Sequence, residues 1–325
     1  MRSTTHIRLA FLTVLTLFSF GGCADETPDP APSFPWEDWL DWERLVDWDT
    51  LTVDGRARTF NVHLPPQYEE RTGPLPLVIG LHGTGGSAVQ FDRHYHLSEK
   101  ADQEGFVAVY PNGVKSDGRL GIRTWNAGAC CDFAARENID DVRFIRELID
   151  RLILTYRIDA KRVYVTGMSN GGMLAYRLAA EIPEKIAAIA PVSCTMVVDP
   201  PAEQSRSMPI LHLHSVLDEI VPYNGGTNPL GYHFPPVDSV LNVWAKRNGC
   251  LPDAQVVTDN DRYMQVQWVD EKGSPLIVYY VTQDGGHSWP GGERVRPQAA
   301  PPSTVIDAND LLWDFFERFN LQYRI

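Results

Sequence analysis

Short apolar segments rich in valine and isoleucine recur along this chain and constrain its fold more than any other feature. They span residues 75–81, 106–110, 162–166, 186–192, 209–213 and 276–281. Segments of this length and composition are typical of strands buried on both faces of a parallel sheet. A further strand is predicted at residues 56–64, where polar and apolar residues alternate as they do in a half-buried strand.

Four segments with an apolar stripe at helical spacing lie between or after these strands. They span residues 140–156, 171–181, 237–247 and 307–319. The stripe of the first one comprises Val142, Ile145, Leu148, Ile149, Leu152 and Leu154. Strands that alternate with helices imply right-handed crossovers, so the sequence predicts an α/β fold with a doubly wound, mostly parallel sheet and helices on both faces. Ligands bind such sheets beyond the carboxyl ends of the strands, where the chemistry is expected.

The charge balance excludes one class of partner. Lys and Arg number 29 and Asp and Glu number 42, which gives a net charge of −13 at pH 7. Phosphate backbones repel a protein this acidic, so no nucleic acid is expected as a partner. The hydrophobic fraction of 43% is that of a packed globular protein and excludes a mainly disordered chain.

The N-terminus has the pattern of a secretory signal over residues 1–23. Arg2 and Arg8 precede an uncharged apolar run at residues 9–20, which is too short to span a bilayer as a helix. The run ends in Phe20-Gly-Gly-Cys23, which resembles a bacterial lipobox with a lipid-modified cysteine; a plain secretion signal is the alternative. The protein is therefore expected outside the cytoplasm, with membrane contact only through an anchor at Cys23.

A proline-rich, acidic segment over residues 24–50 is predicted to be a tether between this signal and one domain over residues 51–325. Trp36, Trp39 and Trp42 recur in it every three residues, which would place them near one face of a helical turn. We expect these tryptophans to pack on the domain. An aromatic strip that binds a sugar or a polymer is the alternative.

The strand at residues 162–166 leads into Gly167-Met-Ser169-Asn-Gly171 and then into a predicted helix. This G-x-S-x-G pattern between a strand and a helix is typical of a nucleophile elbow, a tight turn that presents a serine hydroxyl above the sheet. The flanking glycines are required because the turn brings two backbones too close for side chains. Ser169 is therefore the candidate nucleophile.

A serine hydroxyl needs a base that a carboxylate orients, and in this fold they follow in the order serine, acid, histidine. Asp218 comes just after the strand at residues 209–213 and is the candidate acid, with the adjacent Glu219 as the second choice. His287 lies on a glycine-rich loop after the strand at residues 276–281. No other histidine follows the acid on such a loop, so His287 is the candidate base.

The loop that follows the strand at residues 75–81 has the sequence His82-Gly-Thr-Gly-Gly-Ser87. A glycine-rich loop there can direct backbone amides at the oxyanion that forms when a carbonyl is attacked. We expect the amides of Thr84 and Asn170 to be these donors. Phosphate binding is the alternative, but the lysine of a P-loop and the G-x-G-x-x-G pattern are both missing from the sequence.

His212 and His214 lie on one face of a predicted strand, which raises the alternative of a metal site. No acid or cysteine cluster near them in the sequence completes a coordination shell, so we expect no metal there.

Cys130, Cys131, Cys194 and Cys250 remain once Cys23 is assigned to the signal. An even number in an exported protein suggests two disulfides. A bond between the adjacent Cys130 and Cys131 would be strained, so we expect Cys250 to pair with one of them and Cys194 with the other. Free buried thiols are the alternative.

Together these segments resemble the secreted esterases of the polyhydroxybutyrate depolymerase and feruloyl esterase type, over roughly residues 50–320. The resemblance rests on the motifs His82-Gly-Thr-Gly-Gly-Ser87, Trp125-Asn-Ala-Gly-Ala-Cys-Cys131, Asp140-Asp-Val142, Gly167-Met-Ser-Asn-Gly-Gly172, Asn248-Gly-Cys250 and Gly286-His-Ser-Trp-Pro-Gly291. It implies an α/β-hydrolase fold, a triad of Ser169, Asp218 and His287, and no metal or organic cofactor. Ser215 is a departure, because these esterases more often have glycine after the histidine.

The sequence thus predicts a serine ester hydrolase that works through an acyl-Ser169 intermediate. Esters of polyhydroxyalkanoates are the expected substrates, with feruloyl or acetyl esters of plant polysaccharide as the alternative. Trp125, Tyr223, Trp289 and the loop at residues 224–236 are the expected walls of the substrate site, although Trp289 has packing beneath the histidine loop as an alternative. A peptidase or acyltransferase with the same triad, and a non-catalytic surface-binding protein, are the competing functions.

Overall fold

The computed structural model describes Val46 and residues 48–199, 206–229 and 231–321. The predicted signal at residues 1–23 and most of the predicted tether, with Trp36, Trp39 and Trp42, lie outside these residues. Trp48 is described, and it packs against the apolar core on one face of the sheet.

The described strands are β1 (Asp49–Val53), β2 (Arg56–His63), β3 (Leu75–Leu81), β4 (Val107–Pro111), β5 (Val114–Lys115), β6 (Arg123–Thr124), β7 (Ile158–Met168), β8 (Ala188–Val192), β9 (Ile210–Ser215), β10 (Gly226–Thr227), β11 (His233–Phe234), β12 (Gln255–Asp259), β13 (Tyr263–Val269) and β14 (Pro275–Thr282). Ten of them form one sheet in the order β1-β2-β4-β3-β7-β8-β9-β14-β13-β12. Neighbouring strands from β4 through β14 in this order are parallel, and the strands at both edges are antiparallel. The pairs β5-β6 and β10-β11 form two small separate sheets.

The described α-helices are α1 (Ala88–Tyr95), α2 (Leu97–Glu104), α3 (Asp132–Arg136), α4 (Asp141–Thr155), α5 (Asn170–Glu181), α6 (Val237–Asn248) and α7 (Ala308–Phe316). Helices α4, α5 and α6 bury their apolar stripes in the core on one face of the sheet. Helices α1, α2 and α7 contribute to the core on the other face. None of the helices in the described ranges is both long enough and apolar enough to cross a bilayer.

The central strands are buried because helices cover both of their faces. Along β7, for example, Val163 and Val165 belong to one core and Tyr164 belongs to the other. Alternation of this kind follows from the two-residue period of a strand. The carboxyl ends of the parallel strands therefore meet at one edge of a rigid layer, and the loops that leave them lie close together.

The doubly wound sheet with helices on both faces is confirmed, and the predicted strands and helices occur with shifted ends. The prediction missed β1, β12 and β13, which extend the sheet at its edges, and it missed α1 and α2. It was wrong about Leu154, which is 86% exposed. This residue lies in the last turn of α4, where its position on the helix has turned away from the core.

The expected disulfide pairing is also wrong. Cys130 and Cys131 are bonded to each other, while Cys194 and Cys250 are free thiols. Cys194 is buried, and its sulfur lies close to Gly172 at the start of α5. Cys250 follows the end of α6, where its amide donates to Ala245. The alternative of free buried thiols therefore holds for Cys194, whereas Cys250 is free but only half-buried.

Candidate active site

Ser169 lies between the end of β7 and the start of α5, at the carboxyl edge of the sheet. Its backbone has φ 55° and ψ −121°, a conformation that costs a residue other than glycine about 1–3 kcal/mol. The Ser169 amide donates to the carbonyl of Val192 at the end of β8 (2.9 Å), and the Ser169 carbonyl accepts from Met173 in α5 (2.9 Å). The strand, the helix and the neighbouring strand together hold this turn in its strained form.

The close approach of two backbones explains why glycine is needed beside Ser169. A Cβ at Gly171 would lie 2.6 Å from the carbonyl oxygen of His82 and even closer to that of Leu81. The turn can therefore form only when the second flanking position carries no side chain. This packing also brings the loop after β3 against the nucleophile, since a Cβ at Gly83 would lie 3.4 Å from the Cβ of Ser169.

Asp218 and His287 are brought together by the loops after β9 and β14, which are neighbouring strands. The Nδ1 of His287 lies 2.8 Å from Oδ2 of Asp218. The other oxygen, Oδ1, accepts from the amides of Ile220 (2.9 Å) and Val221 (2.8 Å). Glu219, the second choice for the acid, is exposed and makes no such contact with His287 in the described chain.

The Asp218 side chain is fully buried, whereas 17% of the His287 side chain is exposed. Burial alone would raise the pKa of Asp218, but the neighbouring charge of His287 and hydrogen bonds from His214 and His287 hold it well below its usual range. The carboxylate therefore stays ionised and can orient the imidazole through its Nδ1 proton, which leaves Nε2 free to act as a base.

Ser193 joins the nucleophile turn to the histidine loop. It follows β8 with a φ of 48°, and its hydroxyl donates to the carbonyl of Ser288 (3.1 Å). The residue before it, Val192, accepts the hydrogen bond from the Ser169 amide. The end of β8 thus fixes the backbone of Ser169 on one side and the residue next to His287 on the other.

Ser215 joins the acid loop to the histidine loop. Its hydroxyl accepts from the amide of Leu217 (3.0 Å) and donates to the carbonyl of Asp284 (2.8 Å). The Asp284 carboxylate in turn accepts from Ser303 and Thr304. Although burial opposes it, these hydrogen bonds lower the pKa of Asp284. The serine that replaces the more usual glycine therefore connects the two loops that carry Asp218 and His287.

The loop after β3 makes a tight turn in which two amides are already used. The Gly86 amide donates to the carbonyl of Gly83 (3.0 Å), and the Gly85 amide donates to Arg123 (2.8 Å). Within the described ranges the Thr84 amide has no acceptor. It therefore remains available to a ligand beside Ser169.

His82 fixes this loop from below. Its Nδ1 lies 2.7 Å from the carbonyl of Gly83, and its Nε2 lies 3.0 Å from the amide of Gly113. Since a carbonyl only accepts and an amide only donates, the proton must lie on Nδ1. Complete burial lowers the pKa of His82 to about 3, so the ring is neutral in this position.

Two of the three predicted walls are buried in the structure. Trp125 is fully buried, and its indole donates to the carbonyl of His82 (2.9 Å). Trp289 is 1% exposed and stacks on Tyr95 with ring centroids 5.0 Å apart, which is the packing alternative. Both therefore support the site from beneath rather than line it. Tyr223 is half-buried, and its ring lies 6.5 Å from that of His214.

A buried ion pair that the sequence analysis missed holds the segment around Trp125. Arg58 in β2 and Asp141 in α4 are 2.6 Å apart, and the other carboxylate oxygen of Asp141 accepts from the amide of Asn126 (2.7 Å). No local signal in the sequence connects residues so far apart. The motif Asp140-Asp-Val142 points to Asp141 without showing what it binds.

Exposed aliphatic side chains lie on two loops, the hairpin next to the Thr84 turn and the loop that carries Asp218. Leu120 and Ile122 belong to the β5-β6 hairpin, where Ile122 lies beside Gly85 of the Thr84 turn. Leu217 and Ile220 flank Asp218. We call these four side chains the apolar rim. A cavity of about 440 Å³ lies between the histidine loop and α7, and none of the predicted site residues lines it.

The model of a family described as esterase PHB depolymerase matches residues 59–223 of this chain. "Putative esterase NocK" of Nocardia uniformis subsp. tsuyamanensis is 30% identical over 88% of this chain and 90% of its own length. A bifunctional acetylxylan esterase/xylanase of Neocallimastix patriciarum is 33% identical over 84% of this chain but 35% of its own length. A feruloyl esterase B of Piromyces equi is 27% identical over 76% of this chain and 42% of its own length.

Solved structures with the same fold include an acetyl xylan esterase from Aspergillus awamori. It superposes with a TM-score of 0.57 at 15% identity and covers 84% of this chain and 99% of its own. An S-formylglutathione hydrolase from Agrobacterium tumefaciens gives a TM-score of 0.55 at 15% identity, covering 83% and 94%. These likenesses confirm the α/β-hydrolase fold that the family resemblance implied.

Proposed function

Since this chain belongs to the esterase PHB depolymerase family and is an ester hydrolase, we propose that Ser169, Asp218 and His287 are its catalytic triad. The observation that carries this assignment is the 2.8 Å contact between His287 and Asp218, at the same edge of the sheet as the strained Ser169. The three residues follow β7, β9 and β14, with only β8 between the first two strands. Their chain order is also that of the fold.

The reaction proceeds by two acyl transfers. His287 removes the proton of the Ser169 hydroxyl as its oxygen attacks the ester carbonyl, and Asp218 holds the imidazolium that forms. The imidazolium then protonates the departing alcohol, which leaves an acyl-Ser169. Water, activated by His287, cleaves the acyl-enzyme and restores the serine.

The amides of Thr84 and Asn170 donate hydrogen bonds to the oxyanion in both steps. The Thr84 amide has no acceptor within the described chain, and the Asn170 amide is at the free N-terminal turn of α5. Both amides are fixed before substrate arrives, which is the condition under which such donors stabilise a transition state by several kcal/mol.

Polyhydroxyalkanoate esters are the proposed substrates, because the apolar rim offers exposed aliphatic side chains on the hairpin beside the Thr84 turn and on the loop that carries Asp218. Exposed side chains such as Leu120 (84%) and Leu217 (53%) have no role in the fold that explains their exposure. An aliphatic polyester would cover them, whereas a hydrated polysaccharide would gain less from them. The second candidate, feruloyl or acetyl esters of plant polysaccharide, is supported by the names of the relatives.

Initial hydrolysis rates on four substrates test these proposals. They are a short p-nitrophenyl ester, methyl ferulate, acetylated xylan and amorphous polyhydroxybutyrate, with Ser169→Ala as the inactive control. Turnover that is lost in the control supports Ser169 as the nucleophile. Equal turnover in the control would refute that role, and a preference for methyl ferulate or acetylated xylan would replace the polyester by the second candidate.

The apolar rim has a test of its own. Leu120→Ser with Ile122→Ser should slow hydrolysis of the polyester and leave the short p-nitrophenyl ester unaffected. The matched control is Leu154→Ser, which removes an equally exposed leucine far along α4. Equal rates on the polyester in both variants would contradict a role for the rim.

The protein is proposed to be located outside the cytoplasm. The signal at residues 1–23 would direct its export, and the tether at residues 24–50 would connect this signal to the domain. Cys23→Ser separates the two versions of this signal. Cell fractionation should find the wild type with membranes and the variant in the soluble extracytoplasmic fraction. Wild-type protein in the soluble fraction would contradict the lipid anchor and support the plain secretion signal.

A further inference from the structure

Behind Asp218, a row of buried polar side chains runs from α5 across β9. The Tyr176 hydroxyl lies 2.8 Å from Nδ1 of His212, and Nε2 of His212 lies 3.1 Å from Nδ1 of His214. The Nε2 of His214 lies 2.8 Å from the carbonyl of Val221 and 3.4 Å from Oδ2 of Asp218. The three side chains that form the row are at most 1% exposed, and the triad chemistry does not use them.

The acceptor at the end of the row fixes the position of every proton in it when His214 is neutral. The carbonyl of Val221 can only accept, so Nε2 of His214 must carry a proton. If His214 is neutral, its Nδ1 must accept from Nε2 of His212. Burial lowers the pKa of His212 well below its usual value, so His212 is neutral too, and its Nδ1 must accept from Tyr176. All donors and acceptors are matched in one direction only.

We propose that Tyr176, His212 and His214 are positioning residues for the catalytic acid, because their row holds the N–H of His214, which donates to the carbonyl of Val221, with its Nε2 3.4 Å from Oδ2 of Asp218. The proposal rests on the triad assigned above. Oδ2 of Asp218 lies between two imidazoles, His287 at 2.8 Å and His214 at 3.4 Å. The His214 proton draws part of the carboxylate charge away from His287 and restricts the rotation of the carboxylate.

Other titratable groups face this row from each element packed against it. Cys194, which follows β8, interacts electrostatically with Tyr176 and with Asp218. Tyr279 in β14 packs edge-on against the His212 ring, and Tyr223 lies beside His214. Burial raises the pKa of Cys194 and of Tyr279 well above their usual values, so both are neutral at pH 7. Neither Cys194 nor Tyr279 therefore contributes a charge that competes with His214 at Asp218.

Two variants of His214 test its role. His214→Leu removes the proton donor, whereas His214→Gln keeps an N–H donor near the end of a side chain of similar length. We expect His214→Leu to lower kcat about tenfold with KM unchanged, which is the order of the loss of one polar contact to a charged group. The acid limb of the kcat/KM profile should move to higher pH, because the carboxylate then holds the charge of His287 more strongly. His214→Gln should recover most of kcat.

Wild-type kcat and an unchanged acid limb in a folded His214→Leu protein would overturn the proposal. Equal loss in the Leu and Gln variants would do so too, since it would show a packing role only. Absence of esterase activity in the wild type itself would instead overturn the proposed function. The two failures are therefore distinguishable.

A measurement on the wild type keeps the test open if His214→Leu does not fold. Nitrogen-15 NMR of the histidine rings at pH 7 should show His212 and His214 both protonated at Nε2 alone. A proton on Nδ1 of His214 would refute the proposed order of protons along the row.

The far end of the row has a matched pair of variants. Tyr176→Phe removes its first donor and should lower kcat about fivefold, the order of one neutral hydrogen bond. Tyr279→Phe removes a buried hydroxyl beside the same His212 ring that has no hydrogen-bond partner within the described residues. It should leave kcat unchanged. Equal rates in the two variants would exclude Tyr176 from the positioning role.

Discussion

The side chain of Asn170 holds the backbone of Trp125 at both of its polar groups. Its amide nitrogen donates to the Trp125 carbonyl (3.0 Å), and its oxygen accepts from the Trp125 amide (2.7 Å). Asn170 is also the residue directly after Ser169, and its own backbone amide is a proposed oxyanion donor. The contact therefore connects the nucleophile turn to the segment that Asp141 anchors and that supports His82.

Asn170→Ala should lower both stability and rate. It leaves the buried amide of Trp125 without a partner, at about 1–3 kcal/mol, whereas the Trp125 carbonyl keeps the hydrogen bond that it accepts from the Cys131 amide (3.3 Å). It also frees the start of α5 to move. We expect a loss of about 1–3 kcal/mol in the free energy of unfolding in urea and at least a tenfold lower kcat. The control is Asn224→Ala at an exposed position near the site. An unchanged urea midpoint would show that the Asn170 contact contributes nothing.

Ser169→Gly should abolish turnover and raise stability at the same time. Glycine adopts a φ of 55° without the cost that serine has there. Against the extra chain entropy of glycine, we expect a net gain of up to about 2 kcal/mol in the free energy of unfolding. Ser169→Ala keeps the strain and isolates the effect of the hydroxyl. The explanation by strain fails if the Gly variant is no more stable than the Ala variant.

Gly171→Ala should prevent the turn from forming. The added Cβ would collide with the carbonyl oxygens of Leu81 and His82, which are backbone atoms that cannot rotate away. We expect little folded protein by circular dichroism and no esterase activity. Gly73→Ala is the control, because a Cβ there meets nothing within 4 Å. A folded, active Gly171→Ala protein would mean that the loop after β3 can move aside.

Ser215→Gly introduces the residue that is more usual in the family, and it should lower both the stability and the kcat of this protein. It removes the two hydrogen bonds that connect Leu217 and Asp284, so the loops that carry the acid and the base lose their connection. We expect a loss of about 1–3 kcal/mol in stability and a kcat lower by about fivefold. Ser215→Ala separates this loss from the added chain entropy of glycine. If kcat stays at the wild-type value in both, Ser215 does not hold the two loops together.

The buried strands and the order of the catalytic residues could be predicted because each depends on a local pattern. The strand at residues 75–81 has apolar residues throughout. The turn that carries Ser169 is marked by five consecutive residues that end at Gly171. The edge strands β12 and β13 could not be predicted in this way, because their exposed faces mix polar with apolar residues. Their place in the sheet depends on pairing with β14.

The supporting residues of the site were less predictable for a related reason. Trp125 and Trp289 were expected to line the site because aromatic side chains commonly do, yet the sequence does not show on which side of a loop a ring packs. Ser193 and the Arg58–Asp141 pair act through contacts between distant segments. The row behind Asp218 was visible only as two histidines on one strand face, since Tyr176 comes from another element.

The neutral, buried His82 and His212 should make the protein unfold in mild acid. Their pKa values are lowered, to about 3 for His82, whereas in the unfolded chain each takes a proton near pH 6.5. Above pH 6.5 the two histidines are unprotonated in both the folded and the unfolded chain, so they do not change stability with pH. Between pH 6.5 and their folded pKa values only the unfolded state binds the proton, so each histidine lowers stability by about 1.4 kcal/mol per pH unit as the pH falls.

Urea unfolding between pH 6 and pH 4.5 measures this slope. His212→Gln should reduce it by about 1.4 kcal/mol per pH unit, because one of the two histidines with a lowered pKa is gone. The exposed His233 provides the control, since His233→Gln should leave the slope as in the wild type. The buried Asp141 has a raised pKa from burial and acts in the opposite direction, but it is common to all three proteins and cancels in the comparison. An unchanged slope in His212→Gln would mean that His212 is protonated in the folded protein, which would also break the proton order from Tyr176 to Asp218.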